Sequence, residues 1–195
     1  MRALGLLELD SIAAGVRVGD AMVKSAPVDE LVAGTVHPGK YLVLVVGDVA
    51  SVEEALAAGR EAAFSTLLDE IFLPDPHPDV HAALRGERRD GGGEAVGVVE
   101  TRTVAALLGA ADRGVKGAHV TLREIRVADD LGGKSYCVFR GLVADVEAAV
   151  ELAVASLRSP DLLAGQVVIA QLHGEMDENL LGAPEFRLRL RGGTH

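Results

Sequence analysis

The chain carries one pattern twice, and a duplicated pattern restricts the fold to two copies of a small unit joined in tandem. Ala3-Leu4-Gly5-Leu6-Leu7-Glu8 is echoed by Ala95-Val96-Gly97-Val98-Val99-Glu100, an offset of 92. That offset holds through Ser11/Thr103, Ala13/Ala105, Ala14/Ala106, Asp20/Asp112, Val23/Val115, Lys24/Lys116 and Ala26/Ala118. It becomes 94 for Gly39-Lys40/Gly133-Lys134, Gly47/Gly141, Val49-Ala50/Val143-Ala144, Val52-Glu53/Val146-Glu147 and Ala55/Ala149. It becomes 96 for Phe72-Leu73/Val168-Ile169 and His77/His173. Turns absorb such two-residue insertions at little cost. The reading is a first domain over 1–86, a linker over 87–94, a second domain over 95–185 and a tail over 186–195. Arg88-Arg89-Asp90-Gly91-Gly92-Gly93 sets three glycines beside charges, which marks a flexible boundary.

Within each repeat, hydrophobic period and turn residues predict strand, helix, two strands, helix, strand. In the first repeat the strands are 3–9, 30–36, 40–46 and 67–73. Asp10 or Ser11 caps the first helix, Ile12, Gly15-Val16, Gly19 and Val23 give it one apolar face, and Ala26-Pro27 ends it. Ser51 with Glu54 reads as a capping box for the second helix, whose apolar face takes in Val52, Ala55, Leu56 and Phe64. Pro78 opens a short helix to Leu84. The second repeat follows with strands 95–100, 120–127, 134–140 and 165–171 and helices 103–117 and 145–158. The fold class is α+β: two tandem ferredoxin-like units, each a four-stranded antiparallel-type sheet with helices on one face. That plan serves many functions and names none.

Composition removes several of them. A net charge of −10 with no uninterrupted basic cluster disfavours a nucleic-acid partner. The nearest basic run, Arg85, Arg88 and Arg89, is broken by Glu87 and reads as a solvated linker. The apolar N-terminal run turns acidic at Glu8, too early for a signal peptide or a membrane span. A single cysteine, Cys137, excludes an intrachain disulfide and fits a reducing cytoplasm. It lies in a strand and reads as a buried small hydrophobe. Gly91-Gly92-Gly93 lacks the Lys-Ser/Thr of a phosphate loop, and no paired carboxylates stand against a His or Lys, so no enzyme is expected.

The ordered blocks Ala3 to Glu8, Asp20-Ala21-Met22-Val23-Lys24-Ser25-Ala26 and Val46-Gly47-Asp48-Val49, with Asp112 to Ala118 and Arg140-Gly141-Leu142-Val143 in the second half, resemble the bacterial microcompartment shell domain. The resemblance covers nearly the whole chain. It implies a shell location in the bacterial cytoplasm. Both repeats begin at the same strand, so the order resembles the non-permuted tandem class, which forms homotrimers that look like hexamers. It looks less like the permuted class that stacks around a large gated pore. The alternative from another class is a small ligand-binding regulatory protein of ferredoxin-like shape.

The resemblance also assigns candidate residues. The turn between the second and third strands lines the family's central pore, which implies pore-lining roles for His37, Pro38 and Gly39 and for Asp130, Leu131 and Gly132. Small polar metabolites are the implied passengers. Propanediol-utilisation members of the family carry a cysteine in that turn, and three copies hold an iron–sulfur cluster. This chain reads His-Pro-Gly-Lys, so no such cluster and no other cofactor is expected. Three symmetry-related copies of His37 suit a divalent metal in principle, but a neutral, pH-sensitive pore lining is the favoured reading. Lys24 and Lys116 match a family lysine at the rim, where neighbouring shell proteins meet edge to edge. Asp75, between Pro74 and Pro76, stands where the family has an arginine, and His77 lies beside it.

Overall fold

The computed structural model describes residues 2–181. The first repeat is β1 (Ala3–Leu9), α1 (Ile12–Ser25), β2 (Glu30–Val36), β3 (Lys40–Gly47), α2 (Val49–Ala63) and β4 (Leu67–Leu73), followed by α3 (Pro78–Leu84). The second is β5 (Ala95–Thr101), α4 (Val104–Gly117), β6 (Thr121–Val127), β7 (Ser135–Gly141), α5 (Val143–Ala155) and β8 (Leu163–Ile169), followed by α6 (Gly174–Leu181). Each sheet is antiparallel, in the orders β2-β3-β1-β4 and β6-β7-β5-β8. Two ferredoxin-like sheets in tandem are therefore present. Leu6 sits opposite Leu44 and Ile71, and Val98 opposite Val138 and Val167, so the duplication extends to strand register.

Local chemistry accounts for the boundaries. Ser11 and Thr103 cap α1 and α4, each accepting a hydrogen bond of 3.3 Å from the backbone N–H three residues on. The expected Ser51–Glu54 box does not form. Asp48 caps α2, accepting from the Ser51 N–H at 3.0 Å and the Ser51 hydroxyl at 2.6 Å. A carboxylate takes both donors at once, and the hydroxyl bond holds the Asp48 carboxyl below its ordinary range. Helix α5 starts at Val143, the partner of Val49, and ends at Ala155, earlier than expected at both ends. Strand β8 likewise starts at Leu163, because a 3-10 turn at Pro160–Leu162 delivers the chain to Thr101 of β5. Helix α6 was not anticipated, and the tail expected over 186–195 lies outside the described residues.

Helices α1 and α2 pack on one face of the first sheet and α4 and α5 on one face of the second. Glycines let them approach closely: a Cβ on Gly5 would lie 2.9 Å from Leu56 and Val52, and one on Gly97 would lie 2.6 Å from Val150. The single apolar face read for α1 divides in two. Ala14, Gly15, Val18, Gly19 and Met22 are buried in the core, whereas Ile12, Val16 and Val23 point outward. Phe64 does not join the α2 face. It lies past the helix end at φ 50°, exposed, with Arg17 over its ring.

The other face of the first sheet is where the repeats meet. Leu4, Leu6 and Leu73 share one buried cluster with α3 and with Val104, Leu107 and Leu108 of α4. The segment between α3 and β5 is exposed, as expected, but its arginines are ion-paired rather than free. Arg85 pairs with Glu30, Arg88 with Glu124 and Arg89 with Asp79, so acids neutralise the whole basic run.

Candidate functional site

The two inter-strand turns expected at the pore come together in one chain. In the first, Gly39 at φ 104° closes the bend, its N–H donating to the Val36 carbonyl at 3.0 Å. The second is longer. Asp130, Gly132 and Gly133 all have positive φ, and hydrogen bonds link Ala128 to Lys134 and Leu131 to Ala128. Replacing Gly133 would strain the turn: its φ is 82°, and a Cβ there would lie 2.8 Å from Pro38 of the other turn. His37 Nδ1 lies 4.0 Å from both the Asp129 and the Asp130 carboxylates, and all three side chains are largely exposed.

Behind the turns stands a buried ion pair. Glu8 is fully buried; its carboxylate accepts from Lys40 Nζ at 2.7 Å and from the Val104 N–H at 2.8 Å. One carboxylate thus anchors the first turn's lysine and caps the first turn of the other repeat's helix. The equivalent Glu100 pairs with Lys134 but is a third exposed, with no described repeat packed over it as the second repeat is over Glu8.

That asymmetry runs along the whole junction. Val104, Leu108 and Val115 of α4 are 1%, 0% and 6% exposed against the first repeat. Their counterparts in α1, Ile12, Val16 and Val23, are 47%, 59% and 44% exposed. On the opposite surface, Leu73 and Val80 are buried while Ile169 and Met176 are exposed. Polar contacts follow the same rule. Asp112 accepts from the His77 N–H at 2.7 Å and holds Lys116, which also donates to the Asp75 carbonyl. Among the described residues Asp20 and Lys24 have only each other, exposed, at 2.6 Å. The structure therefore draws Lys116, Asp75 and His77 into the junction between repeats, with Lys24 left open at the chain's outer end.

Three features were not legible as site chemistry. His77 is a helix cap, its Nδ1 accepting from the Asp79 N–H at 3.2 Å, and His173 does the same for Glu175 at 3.3 Å. Arg123 is 2% exposed at a bulge in β6. It and Arg140 grip Asp177 of α6, which holds that carboxyl at about 2, chiefly through the Arg140 hydrogen bond. Because this value is depressed from about 3.9 in an unfolded chain, the grip is fully present above that range and is lost as pH falls through 2. Asp177→Asn is expected to cost about 1–2 kcal/mol at pH 5, roughly 2–8 °C in Tm. The gap between variant and parent narrows toward pH 2; an equal gap at both pH values contradicts the assignment.

The turns do not fit an iron–sulfur cluster. They offer imidazole and carboxylate, and Cys137 lies fully buried elsewhere, its thiol pushed up to about 12 by burial. Among the described residues no group of three or more His, Cys, Asp or Glu is placed to hold a metal within one chain. No described helix is long and apolar enough to cross a membrane.

Two tandem ferredoxin-like domains joined through such a junction define a class, and comparison identifies it. Residues 3–76 and 95–172 both match the family model for the BMC domain. The chain belongs to that family of bacterial microcompartment shell proteins, in its tandem-domain class. It is similar to the bacterial microcompartment shell protein PduT of Citrobacter freundii, 45% identical over 175 residues covering 90% of this chain and 95% of that one. It is 29% identical over 193 residues to the carboxysome assembly protein CcmO of Synechocystis, covering 91% of this chain and 64% of that one. The structure is similar to that of a microcompartment protein from Desulfitobacterium hafniense, at TM-score 0.80 and 40% identity, covering 91% of this chain and 99% of that one.

Proposed function

We propose that three copies close into a flat ring of six domains, and that the hole at its centre passes small polar metabolites through a microcompartment shell. One observation carries this reading: the surface that the first repeat buries against the second has an exposed equivalent at each outer end of the chain. A contact that is heterologous and repeats at every junction makes a ring when its rotation closes. Three two-domain chains then bury every such surface.

In that ring the turns at His37 and Leu131 alternate around the axis. Asp129 and Asp130 carry unneutralised charge at the mouth, whereas Lys40 and Lys134 are held by Glu8 and Glu100. The passage therefore favours neutral or cationic solutes over anions. Lateral contacts with other shell proteins use the rim, where Lys24 is the exposed candidate and Lys116, Asp75 and His77 shape the neighbouring surface.

The test is a solution mass and a pore. The chain, 20.3 kDa, is expected to run as a trimer of about 61 kDa, three times that mass. His37→Ala is expected to leave the trimer intact and widen the opening at its axis. A trimer structure with an unchanged opening removes His37 from the pore, and a stable monomer removes the ring.

A further inference from the structure

The ion pair of Glu100 and Lys134 is one half of a larger contact, and the junction inside the chain shows the whole of it. Glu8 uses both carboxylate oxygens there: Oε1 accepts from Lys40 Nζ at 2.7 Å and Oε2 from the Val104 N–H at 2.8 Å. Lys40 Nζ also faces two carbonyls of the second repeat, Arg102 at 3.4 Å and Gly133 at 3.5 Å. Apart from the ion pair itself, each of these contacts crosses from one repeat to the other.

Strand register puts Glu100 where Glu8 stands. Glu8 lies opposite Leu42 and Asp69, and Glu100 opposite Tyr136 and Gly165. The offset of 92 carries Val104 and Arg102 back to Ile12 and Asp10, and the offset of 94 carries Gly133 back to Gly39. Lys134 pairs with Glu100 Oε1, which occupies one of the three donors of its ammonium. Glu100 Oε2 lies beside Gly165, where a Cβ would be 3.3 Å away. Ile12 opens α1, where a helix leaves its backbone N–H groups without partners of its own, and the Ser11 hydroxyl serves Ala14 instead. The second repeat thus offers a carboxylate oxygen and ammonium donors. The start of α1 and the His37 turn offer an N–H and two carbonyls. The partial positive charge of a helix N-terminus favours a carboxylate at that end.

The two kinds of junction differ at one neighbouring position. Inside the chain Asp69, 3% exposed, accepts from the Thr103 hydroxyl and pairs with Arg158. Gly165 stands in its place in the second repeat and brings no side chain. Between copies, Glu100 is therefore the carboxylate that remains for the start of α1.

We propose that Glu100 and Lys134 of one copy clasp the next copy: Glu100 Oε2 accepts from the Ile12 N–H, and Lys134 Nζ donates to the carbonyls of Asp10 and Gly39. This rests on the ring reading above. The clasp ties the His37 turn of each copy to the end of its neighbour's Leu131 turn, as Lys40 ties the same two turns within the chain. The test is amide hydrogen exchange read at single residues, at a concentration where the parent's mass is about 61 kDa, three times 20.3 kDa. The Val104 N–H, which has the same contact inside the chain, is the internal standard. In the parent trimer the Ile12 N–H is expected to exchange within about tenfold of it. A faster Ile12 N–H overturns the clasp and leaves the ring standing, and a monomeric parent overturns both. Glu100→Leu/Lys134→Met replaces both charges by apolar groups of similar bulk, so neither is stranded. The two side chains are 33% and 48% exposed, and the variant is expected to fold like the parent by circular dichroism. Its Ile12 N–H is expected to speed up at least about tenfold relative to Val104. An unchanged ratio means that Glu100 does not hold the Ile12 N–H, and the clasp is wrong.

Discussion

Glu8→Leu is expected to lower Tm by roughly 6–20 °C, corresponding to about 3–5 kcal/mol for breaking a buried ion pair on one side. The size of the effect comes from what remains. The Lys40 ammonium, 18% exposed, would keep only long contacts to the carbonyls of Arg102 at 3.4 Å and Gly133 at 3.5 Å. The Val104 N–H, at the first turn of α4, would lose its acceptor inside the junction. Adding Lys40→Met removes the stranded charge, so the double variant is expected to regain more than half of the loss, the remainder reflecting the Val104 N–H. Glu8→Gln keeps one acceptor oxygen and so serves one of the two donors, which use different carboxylate oxygens, and is expected to fall between parent and Glu8→Leu. Thermal unfolding followed by circular dichroism separates these cases. If Glu8→Leu and the double variant melt together, the lysine is not stranded, and the anchoring of the first turn through Glu8 is misread.

The same residues show how far a single chain can be read. Strand positions followed from β-branched runs bounded by turn residues, and the duplication supplied each one twice. The turns at His37 and Leu131 were found because glycine marks both. Burial on α1 was not legible: Ile12, Val16 and Val23 form a proper apolar stripe, and so do Ala14, Val18 and Met22. Periodicity reports that a face is apolar, not whether its cover is the domain's own sheet or another domain. Arg123 was hidden for a different reason. A bulge between Leu122 and Glu124 breaks the alternation by which a strand residue is assigned to a face. His77 was missed as a cap because imidazole stands outside the usual Ser, Thr, Asp and Asn set. The linker is exposed as read, but the partners of its arginines were not legible because Glu30, Glu124 and Asp79 are distant or unremarkable in sequence.

Val16→Asp and Leu108→Asp change matched positions of the two repeats and are expected to fail in opposite ways. Val16 is exposed in the single chain, so aspartate there meets water until a neighbouring copy arrives. At closure the carboxylate would be buried among apolar side chains without a partner, which costs several kcal/mol at each of the three junctions. The variant is therefore expected to remain folded, with circular dichroism like the parent, and to run at 20.3 kDa by light scattering instead of about 61 kDa. Leu108 meets the same kind of surface inside the chain and is fully buried. Aspartate there removes a large core side chain, about 2–5 kcal/mol, and adds an unpaired buried charge. Together these approach the whole stability of an ordinary domain, about 5–15 kcal/mol. Leu108→Asp is expected to give little folded protein at any concentration. Equal behaviour of the two variants would mean that the exposed α1 stripe is not the counterpart of the buried α4 stripe. A Val16→Asp protein that still assembles would place the contact between copies elsewhere, because six equivalent junctions cannot close with three of them carrying a buried, unpaired carboxylate.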